Sequence, residues 1–314
     1  MNMNKVARFR GCLLGLATGD ALGTTVEFQE PGTFEPILEI TGGGVFHLEP
    51  GEWTDDTSMA LCLAESLVEC RGFDLSDQLE CYLRWYKTGY MSSNGRCFDI
   101  GNTVRTALSR FERTHKIYSV PSEMSAGNGS LMRLCPVPLC WSENPERAIE
   151  YSGESSRTTH GAQAATDACR YFAALLVGAV QGVDKNTLLS SAYTPVAGYW
   201  DRNPLVREID EIAQGSFTKR EPPVIESTGY VVKTLEAALW AFYRSETFEE
   251  GCRLAVNLGG DADTCGAVFG QLAGAYYGEC GIPERWLKRL AKRELIESLA
   301  ERLCPHSGDP ATLA

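Results

Sequence analysis

Glycine at every fourth position of the first helical segment is the feature that most constrains the fold. Between residues 8 and 29, glycines occupy positions 11, 15, 19 and 23 of an otherwise largely apolar sequence. Residues four apart lie on one face of an α-helix, so these glycines form a strip where another helix can approach closely. Each interior glycine costs about 0.8–1 kcal/mol relative to alanine, which close packing has to offset. We therefore predict a tightly packed central helix.

Two carboxylates, Asp20 and Glu27, follow in the same segment. They are seven positions apart, so an uninterrupted helix would place both on one face. Glu27 could be an ordinary surface residue. Its apolar neighbours, Val26 and Phe28 among them, instead favour a carboxylate on a partly buried wall.

Acidic residues also open two helical patterns at distant points of the chain. The first cluster is Thr54-Asp55-Asp56 and the second contains Asp261, Asp263 and Thr264, with no Lys, Arg or His inside either. Capping of free backbone N–H groups is the simpler explanation. However, carboxylate and hydroxyl ligands suit Mg²⁺ or Mn²⁺ and not Zn²⁺. If the two helix starts face each other, this group could hold two divalent cations.

The composition indicates an ordinary soluble protein. The 314 residues are 44% hydrophobic and 22% charged, which we interpret as one domain spanning residues 1–314. A net charge of −12 argues against nucleic acid or an anionic membrane as the main partner. No apolar run reaches the ~18 residues that a membrane span needs. The N-terminus lacks an apolar signal core and the 12 cysteines form no C-x-x-C pair, so we expect a cytoplasmic protein with reduced thiols.

Helical periodicity dominates the rest of the chain, and strands are expected to be minor. Residues 30–53 are glycine-rich without periodicity and predict a long loop. The pattern at 98–108 begins near Asp99, which could be a helix cap or a further acidic group facing the metals. Other helical patterns cover 55–71, 76–87, 144–157, 160–181, 185–192, 203–214, 227–244, 246–256, 262–278 and 284–302. The prediction is a single all-α domain.

A Gly127-Asn128-Gly129-Ser130 turn followed by Leu131 has the composition of an anion-binding loop. If the turn enters a helix, several backbone N–H groups are left free at the positive end of the helix dipole, where a phosphate can bind. A plain interhelical turn is the alternative. His160 lies at a predicted helix junction and is either a hydrogen-bonded structural residue or a phosphate contact.

Taken in order, these motifs resemble the ADP-ribosylglycohydrolase family. The resemblance runs from about residue 8 to residue 280 and rests on six segments: residues 19–27, 53–57, 99–102, 127–133, 159–160 and 259–264. It implies an all-α fold, two Mg²⁺ or Mn²⁺ ions at the bottom of a cleft, and hydrolysis of the bond that joins ADP-ribose to an acceptor. It assigns the metal ligands to Thr54, Asp55, Asp56, Asp261, Asp263 and Thr264.

The resemblance also implies roles around the scissile bond. Glu27 and Asp99 correspond to the acidic residues that handle protons during cleavage. Substrate contacts fall on Asn102, Gly127, Asn128, Gly129, Ser130, Met132 and His160.

The form of the 125–133 loop resembles the arginine-directed branch of the family. It predicts removal of ADP-ribose from arginine side chains of a mono-ADP-ribosylated protein, reversing an ADP-ribosyltransferase, by an enzyme expected to be a monomer. Hydrolysis of ADP-ribosyl-serine or of small ADP-ribose conjugates is an alternative. Two further alternatives are a non-catalytic ADP-ribose-binding module and a metal-free helical scaffold.

Overall fold

The computed structural model describes residues 4–304, so the ends of the predicted 1–314 domain lie outside the described residues. Within 4–304 the chain forms helices and connecting loops, and β-pairing is limited to the isolated bridges Gly43/Leu48 and Gly127/Tyr230. The predicted all-α fold is confirmed. No helix in this range combines the length and the apolarity that crossing a membrane requires.

Fifteen α-helices follow one another in the described range. They are α1 (Lys5–Gly23), α2 (Asp55–Cys70), α3 (Leu75–Thr88), α4 (Asn102–Thr114), α5 (Pro136–Cys140), α6 (Pro145–Arg157), α7 (Gln163–Val180), α8 (Lys185–Leu188), α9 (Tyr199–Arg202), α10 (Arg207–Ala213), α11 (Val231–Arg244), α12 (Phe248–Val256), α13 (Ala262–Tyr277), α14 (Glu284–Leu287) and α15 (Arg293–Leu303). Short 3₁₀ turns lie at Thr24–Val26, Glu123–Ser125, Ser216–Thr218 and Glu279–Gly281.

The glycine strip of α1 packs against a matching strip of α13. A Cβ on Gly270 would lie 2.0 Å from the carbonyl oxygen of Gly15, and one on Gly19 would lie 2.0 Å from that of Gly266. Any side chain at these positions would push the two helices apart. The predicted close helix approach is confirmed, with α13 as the partner of α1.

The two helices run antiparallel, because Gly11 meets Gly274 at one end and Gly23 meets Ala262 at the other. The end of α1 therefore lies beside the start of α13, which places Asp20 near Asp263. Both helices are buried along most of their length. This backbone contact fixes where the acidic start of α13 lies.

Several predicted helices begin or end elsewhere in the structure, and three of these differences have a local backbone reason. Helix α1 ends at Gly23 and tightens into a 3₁₀ turn, so Glu27 does not share a helical face with Asp20. The pattern at 98–108 becomes helical only at Asn102, because Asp99 has a left-handed φ of 58°. The pattern at 284–302 is divided into α14 and α15, with Lys292 at a φ of 51° before α15.

Residues 27–53 form the predicted long loop, which leads into α2. The loop ends on Trp53, whose fully buried indole donates from Nε1 to the carbonyl oxygen of Ala291 at 3.1 Å. All twelve cysteines are free thiols. Most of them are buried, whereas Cys70 and Cys280 are exposed.

Candidate functional site

Asp20 of α1 holds the start of α2. Its Oδ1 accepts hydrogen bonds from the backbone N–H and the hydroxyl of Thr54, at 2.8 and 3.0 Å. Its Oδ2 accepts from the corresponding groups of Thr57, at 3.0 and 2.6 Å. Burial raises the pKa of Asp20 to about 6, although all four hydrogen bonds lower it. Asp20 thus caps α2 from a different helix.

Neither Asp20 nor Thr57 is among the site residues predicted from the sequence. The available signal was a charged residue inside a glycine-rich apolar helix, where an unpaired carboxylate would be costly. Its partner could not be read from the sequence, because Thr57 lies on a separate helix.

The starts of α2 and α13 face each other. Thr54 Oγ1 lies 3.1 Å from Asp263 Oδ2, and Thr264 Oγ1 lies 3.4 Å from Asp56 Oδ2. Simple capping accounts for Asp263 Oδ1, which accepts from the Thr264 N–H at 2.8 Å. It does not account for the other carboxylates, because neither N-cap side chain, Thr54 or Asp261, accepts a capping hydrogen bond. The two distant acidic clusters therefore form one site.

The hydroxyl of Thr54 has more acceptors around it than it can serve. Besides Asp263 Oδ2, it contacts Asp20 Oδ1 at 3.0 Å and Asp56 Oδ2 at 3.3 Å. A hydroxyl carries a single hydrogen to donate. At least two of the three carboxylate oxygens therefore lie next to the Thr54 oxygen without a hydrogen between them, unless one of the carboxyl groups is protonated. A bound cation would relieve this repulsion.

A second group of carboxylates lies at the same place. Oxygens of Glu27, Asp261 and Asp263 are all within 4.8 Å of one another, close enough to share a metal ion. Glu27 Oε2 and Asp56 Oδ1 are buried without a hydrogen-bond partner, which is rare and costly for a carboxylate. An all-oxygen donor set with unused buried oxygens fits a hard divalent cation.

Burial and mutual repulsion raise the pKa values of these acids. The pKa of Glu27 rises to about 10, mainly through burial and then through Asp99 and Asp261. The pKa of Asp99 rises to about 8 through burial, then Asp261 and Asp20, while a hydrogen bond with Asp55 lowers it. Burial, followed by nearby carboxylates, raises those of Asp55, Asp56 and Asp263 well above the usual range. Without cations, the site retains protons.

The turn at residues 127–130 forms another wall of the site. Asn128 Nδ2 donates to Asp261 Oδ2 at 2.7 Å, which orients this carboxylate. The Asn128 N–H donates to the carbonyl oxygen of Gly229 at 3.1 Å. The Asp261 N–H in turn donates to the carbonyl oxygen of Ser227, at 3.3 Å. The sequence did not predict that segment 227–230 belongs to the site, because this segment has no distinctive motif.

The expectation that this turn enters a helix at Leu131 was wrong. The N–H groups of Leu131 and Met132 both donate to the carbonyl oxygen of Asn128, and the next helix begins only at Pro136. Those two N–H groups are therefore not free for an anion. Ser130 and Met132 have buried side chains, and Ser130 Oγ pairs with Ser156 Oγ at 2.8 Å. Asn102 is exposed as the first residue of α4.

His160 lies directly beneath the turn. A Cβ on Gly129 would lie 2.9 Å from its Cε1 atom, and one on Gly127 would lie 3.4 Å from its Nε2 atom. Burial lowers the pKa of His160 to about 3, with a further contribution from Arg133. The ring is therefore neutral near pH 7. Gly129 is what allows the imidazole to approach the loop backbone, because a Cβ there would be too close to the ring.

The chain is similar to known proteins over most of its length. The family described as ADP-ribosylglycohydrolase matches residues 1–311. The ADP-ribosylarginine hydrolases Tri1 of Serratia proteamaculans and Pseudomonas putida are 40% and 42% identical to this chain. Each alignment covers 94% of this chain, with 78% and 77% of the respective relative. The ADP-ribosyl-[dinitrogen reductase] glycohydrolase of Rhodospirillum rubrum is 34% identical over 90% of both chains.

A solved structure of similar fold gives the same result. It is described as an ADP-ribosylglycohydrolase-related protein complex and is 47% identical, with a TM-score of 0.83. The match covers 95% of this chain and 97% of the solved one. Sequence and fold thus agree over nearly the whole length, and the chain belongs to the ADP-ribosylglycohydrolase family of enzymes.

Proposed function

We propose that this protein hydrolyses the bond between ADP-ribose and an arginine side chain of a mono-ADP-ribosylated protein, releasing ADP-ribose. The observation that carries this proposal is the buried carboxylate site at the facing starts of α2 and α13, next to the turn at 127–130. Two relatives at 40–42% identity are named ADP-ribosylarginine hydrolases, which supports arginine as the acceptor.

In this proposal, two divalent cations, Mg²⁺ or Mn²⁺, are held by the oxygens of both helix starts. The ligands are Thr54, Asp55, Asp56, Asp261, Asp263 and Thr264. The unpartnered Asp56 Oδ1 and the crowded Thr54 hydroxyl support this assignment. When bound, the cations supply positive charge and Lewis acidity at the ribose end of the cleft.

We assign the proton transfers to Glu27 and Asp99. As the bond at the anomeric carbon breaks, positive charge develops on the ribose and the departing guanidine nitrogen must gain a proton. Glu27 has a buried Oε2 without a partner and lies beside Asp261 and Asp263. Asp99 lies in the loop that precedes α4 and has Asp55 as a hydrogen-bond partner. The pair can therefore donate a proton to the departing nitrogen and accept one from the water that completes the hydrolysis.

The turn at 127–130 and His160 are assigned to the phosphates of ADP-ribose. Gly129 lets the His160 ring approach the turn, and Asn128 holds Asp261 in its orientation. Because the side chains of Ser130 and Met132 are buried, we expect them to contribute through their backbone. Asn102 is exposed near Asp99, and we assign to it a contact with the outer part of the substrate.

The test is release of ADP-ribose from peptides that carry the modification on arginine or on serine. We expect release from the arginine peptide with Mg²⁺ or Mn²⁺, and loss of release with a chelator. Asp261→Ala should lower kcat by roughly 10³ while ADP-ribose still binds, since several kcal/mol of charge stabilisation are lost.

The matched control is Asp201→Ala, an exposed aspartate on α9, which should keep full activity. Unchanged activity after metal removal would contradict the metal assignment. Preferential cleavage of the serine peptide would contradict the arginine assignment. Wild-type protein that binds ADP-ribose but cleaves neither peptide would favour a binding module.

A further inference from the structure

Arg133 is a fully buried arginine beside the proposed phosphate site. Its guanidinium lies 4.5 Å from the centre of the Tyr82 ring and contacts Met59 Sδ at 3.8 Å. Its Nε has no hydrogen-bond partner. None of the ion pairs found within residues 4–304 includes Arg133. Burying a charged side chain without a carboxylate partner costs folding free energy, so we expect the buried Arg133 to have a specific role.

The polar contact of Arg133 leads to His160. Its Nη2 donates to Thr159 Oγ1 at 2.7 Å, and Thr159 Oγ1 lies 2.8 Å from His160 Nδ1. Arg133 can only donate, so Thr159 accepts from it. The hydroxyl hydrogen of Thr159 then has one described acceptor, the Nδ1 atom. With Nδ1 protonated, Thr159 Oγ1 would accept two hydrogen bonds and its own buried hydrogen would have no described acceptor. Donation to Nδ1 avoids this and puts the proton of the neutral ring on Nε2.

The Nε2 atom faces the turn at 127–130, since it is the ring nitrogen that meets the Cβ positions of Gly127 and Gly129. No described residue hydrogen-bonds to it. An N–H aimed at a glycine turn can donate to an anionic oxygen there, whereas an unprotonated Nε2 would repel it.

We propose that Arg133 and Thr159 are positioning residues that hold His160 in the Nε2–H tautomer, so that its ring donates a hydrogen bond to a phosphate oxygen of the substrate at the 127–130 turn. Neither residue touches the substrate. The phosphate contact rests on the proposed function, whereas the tautomer does not.

The tautomer is measured directly by ¹H–¹⁵N NMR of the imidazole nitrogens, with the His160 signals identified through a His160→Asn variant. We expect the Nε2–H form in wild-type protein near pH 7. Thr159→Val removes the hydroxyl at nearly constant volume and should produce a mixture of tautomers. Thr159→Ser, which retains a hydroxyl, should restore the wild-type spectrum.

The functional measurement is the Kd for ADP-ribose together with the separate kcat and KM of hydrolysis. Thr159→Val should raise Kd and KM about tenfold and change kcat little, since one buried hydrogen bond of about 1.4 kcal/mol is lost. Arg133→Met should act in the same direction. The matched control is Thr158→Val, because Thr158 is equally buried but its hydroxyl donates to the carbonyl oxygen of Ser155.

An Nδ1–H tautomer in wild-type protein would overturn the proposal without any variant. So would a Thr159→Val protein with unchanged tautomer and Kd, or an equal rise in Kd for Thr158→Val. If wild-type protein neither binds nor cleaves ADP-ribosyl substrates but His160 is the Nε2–H tautomer, the proposed function fails while the positioning by Thr159 stands.

Discussion

Thr54 Oγ1 lies 3.1 Å from Asp263 Oδ2, although the two residues belong to different helices near opposite ends of the chain. The contact depends on the glycine strips of α1 and α13, which bring Asp20 and Asp263 to the same end of the helix pair. Asp20 then fixes Thr54 by two hydrogen bonds. The backbone packing of two helices thus creates an acidic site that needs a cation or protons to be stable.

Asp20→Asn should weaken the metal site without removing a ligand. The amide presents an NH₂ group to N–H and hydroxyl donors of Thr54 and Thr57, so the start of α2 loses its anchor. We expect about a 10–100-fold rise in the Kd for Mn²⁺, measured by calorimetry. Asp167→Asn is the control, because Asp167 is equally buried but pairs with Arg170 instead. A similar loss of affinity in both variants would indicate a general loss of stability.

Gly270→Ala should destabilise the protein strongly. The added Cβ would lie 2.0 Å from the carbonyl oxygen of Gly15, so the two helices must separate. We expect a loss of about 3 kcal/mol or more in the free energy of unfolding, measured in denaturant. Gly101→Ala has nothing within 4 Å and should cost less than about 1 kcal/mol, mainly at the helix cap. Equal effects would argue against the close contact.

The metal-free protein should become less stable as the pH rises. The ordinary pKa of Glu27 is 4.5, and its folded-state pKa is about 10. Between these values the folded state binds more protons than the unfolded state, so the free energy of unfolding falls with increasing pH. Glu27→Gln removes this linkage. In chelator, its Tm should decline less steeply across the window than that of wild-type protein, and parallel curves would contradict the assignment.

Divalent cations should stabilise the chelated protein. A ligand at 100 times its Kd adds about 2.7 kcal/mol to the free energy of unfolding, provided that it binds the folded state alone. For a chain of this length we expect Tm to rise by about 5 °C with Mg²⁺ or Mn²⁺. Asp56→Ala should lose most of this increase. An equal increase in that variant would indicate cation binding elsewhere.

The sequence was most informative where local patterns decide the structure. The four-residue spacing of glycines in α1 predicted a close helix contact, and the helical periodicity predicted the all-α fold. The oxygen-only acidic clusters at two helix starts indicated a hard-cation site. The helix contact and the all-α fold are confirmed because helical periodicity is a property of short segments, whereas the cation site stays a prediction that rests on ligand chemistry.

The sequence was less informative where left-handed residues interrupt a pattern. The sequence placed Glu27 on the α1 helix and Asp99 at a helix start, whereas a 3₁₀ turn and a φ of 58° exclude both positions. Both carboxylates are nevertheless close enough to Asp261 for its charge to raise their pKa values. Non-glycine residues adopt such conformations only when tertiary contacts compensate for the strain.

The amino-acid sequence by itself determined that helices form, that two of them open with carboxylates and threonines, and that one can be approached closely by another. Only the tertiary structure decided that α13 is the partner of α1, that Asp20 anchors α2, and that Arg133 reaches His160 through Thr159. The physical reason is that these relationships depend on distances between segments far apart in the chain. Those distances are set by the packing of whole helices and not by the spacing of residues along any one of them.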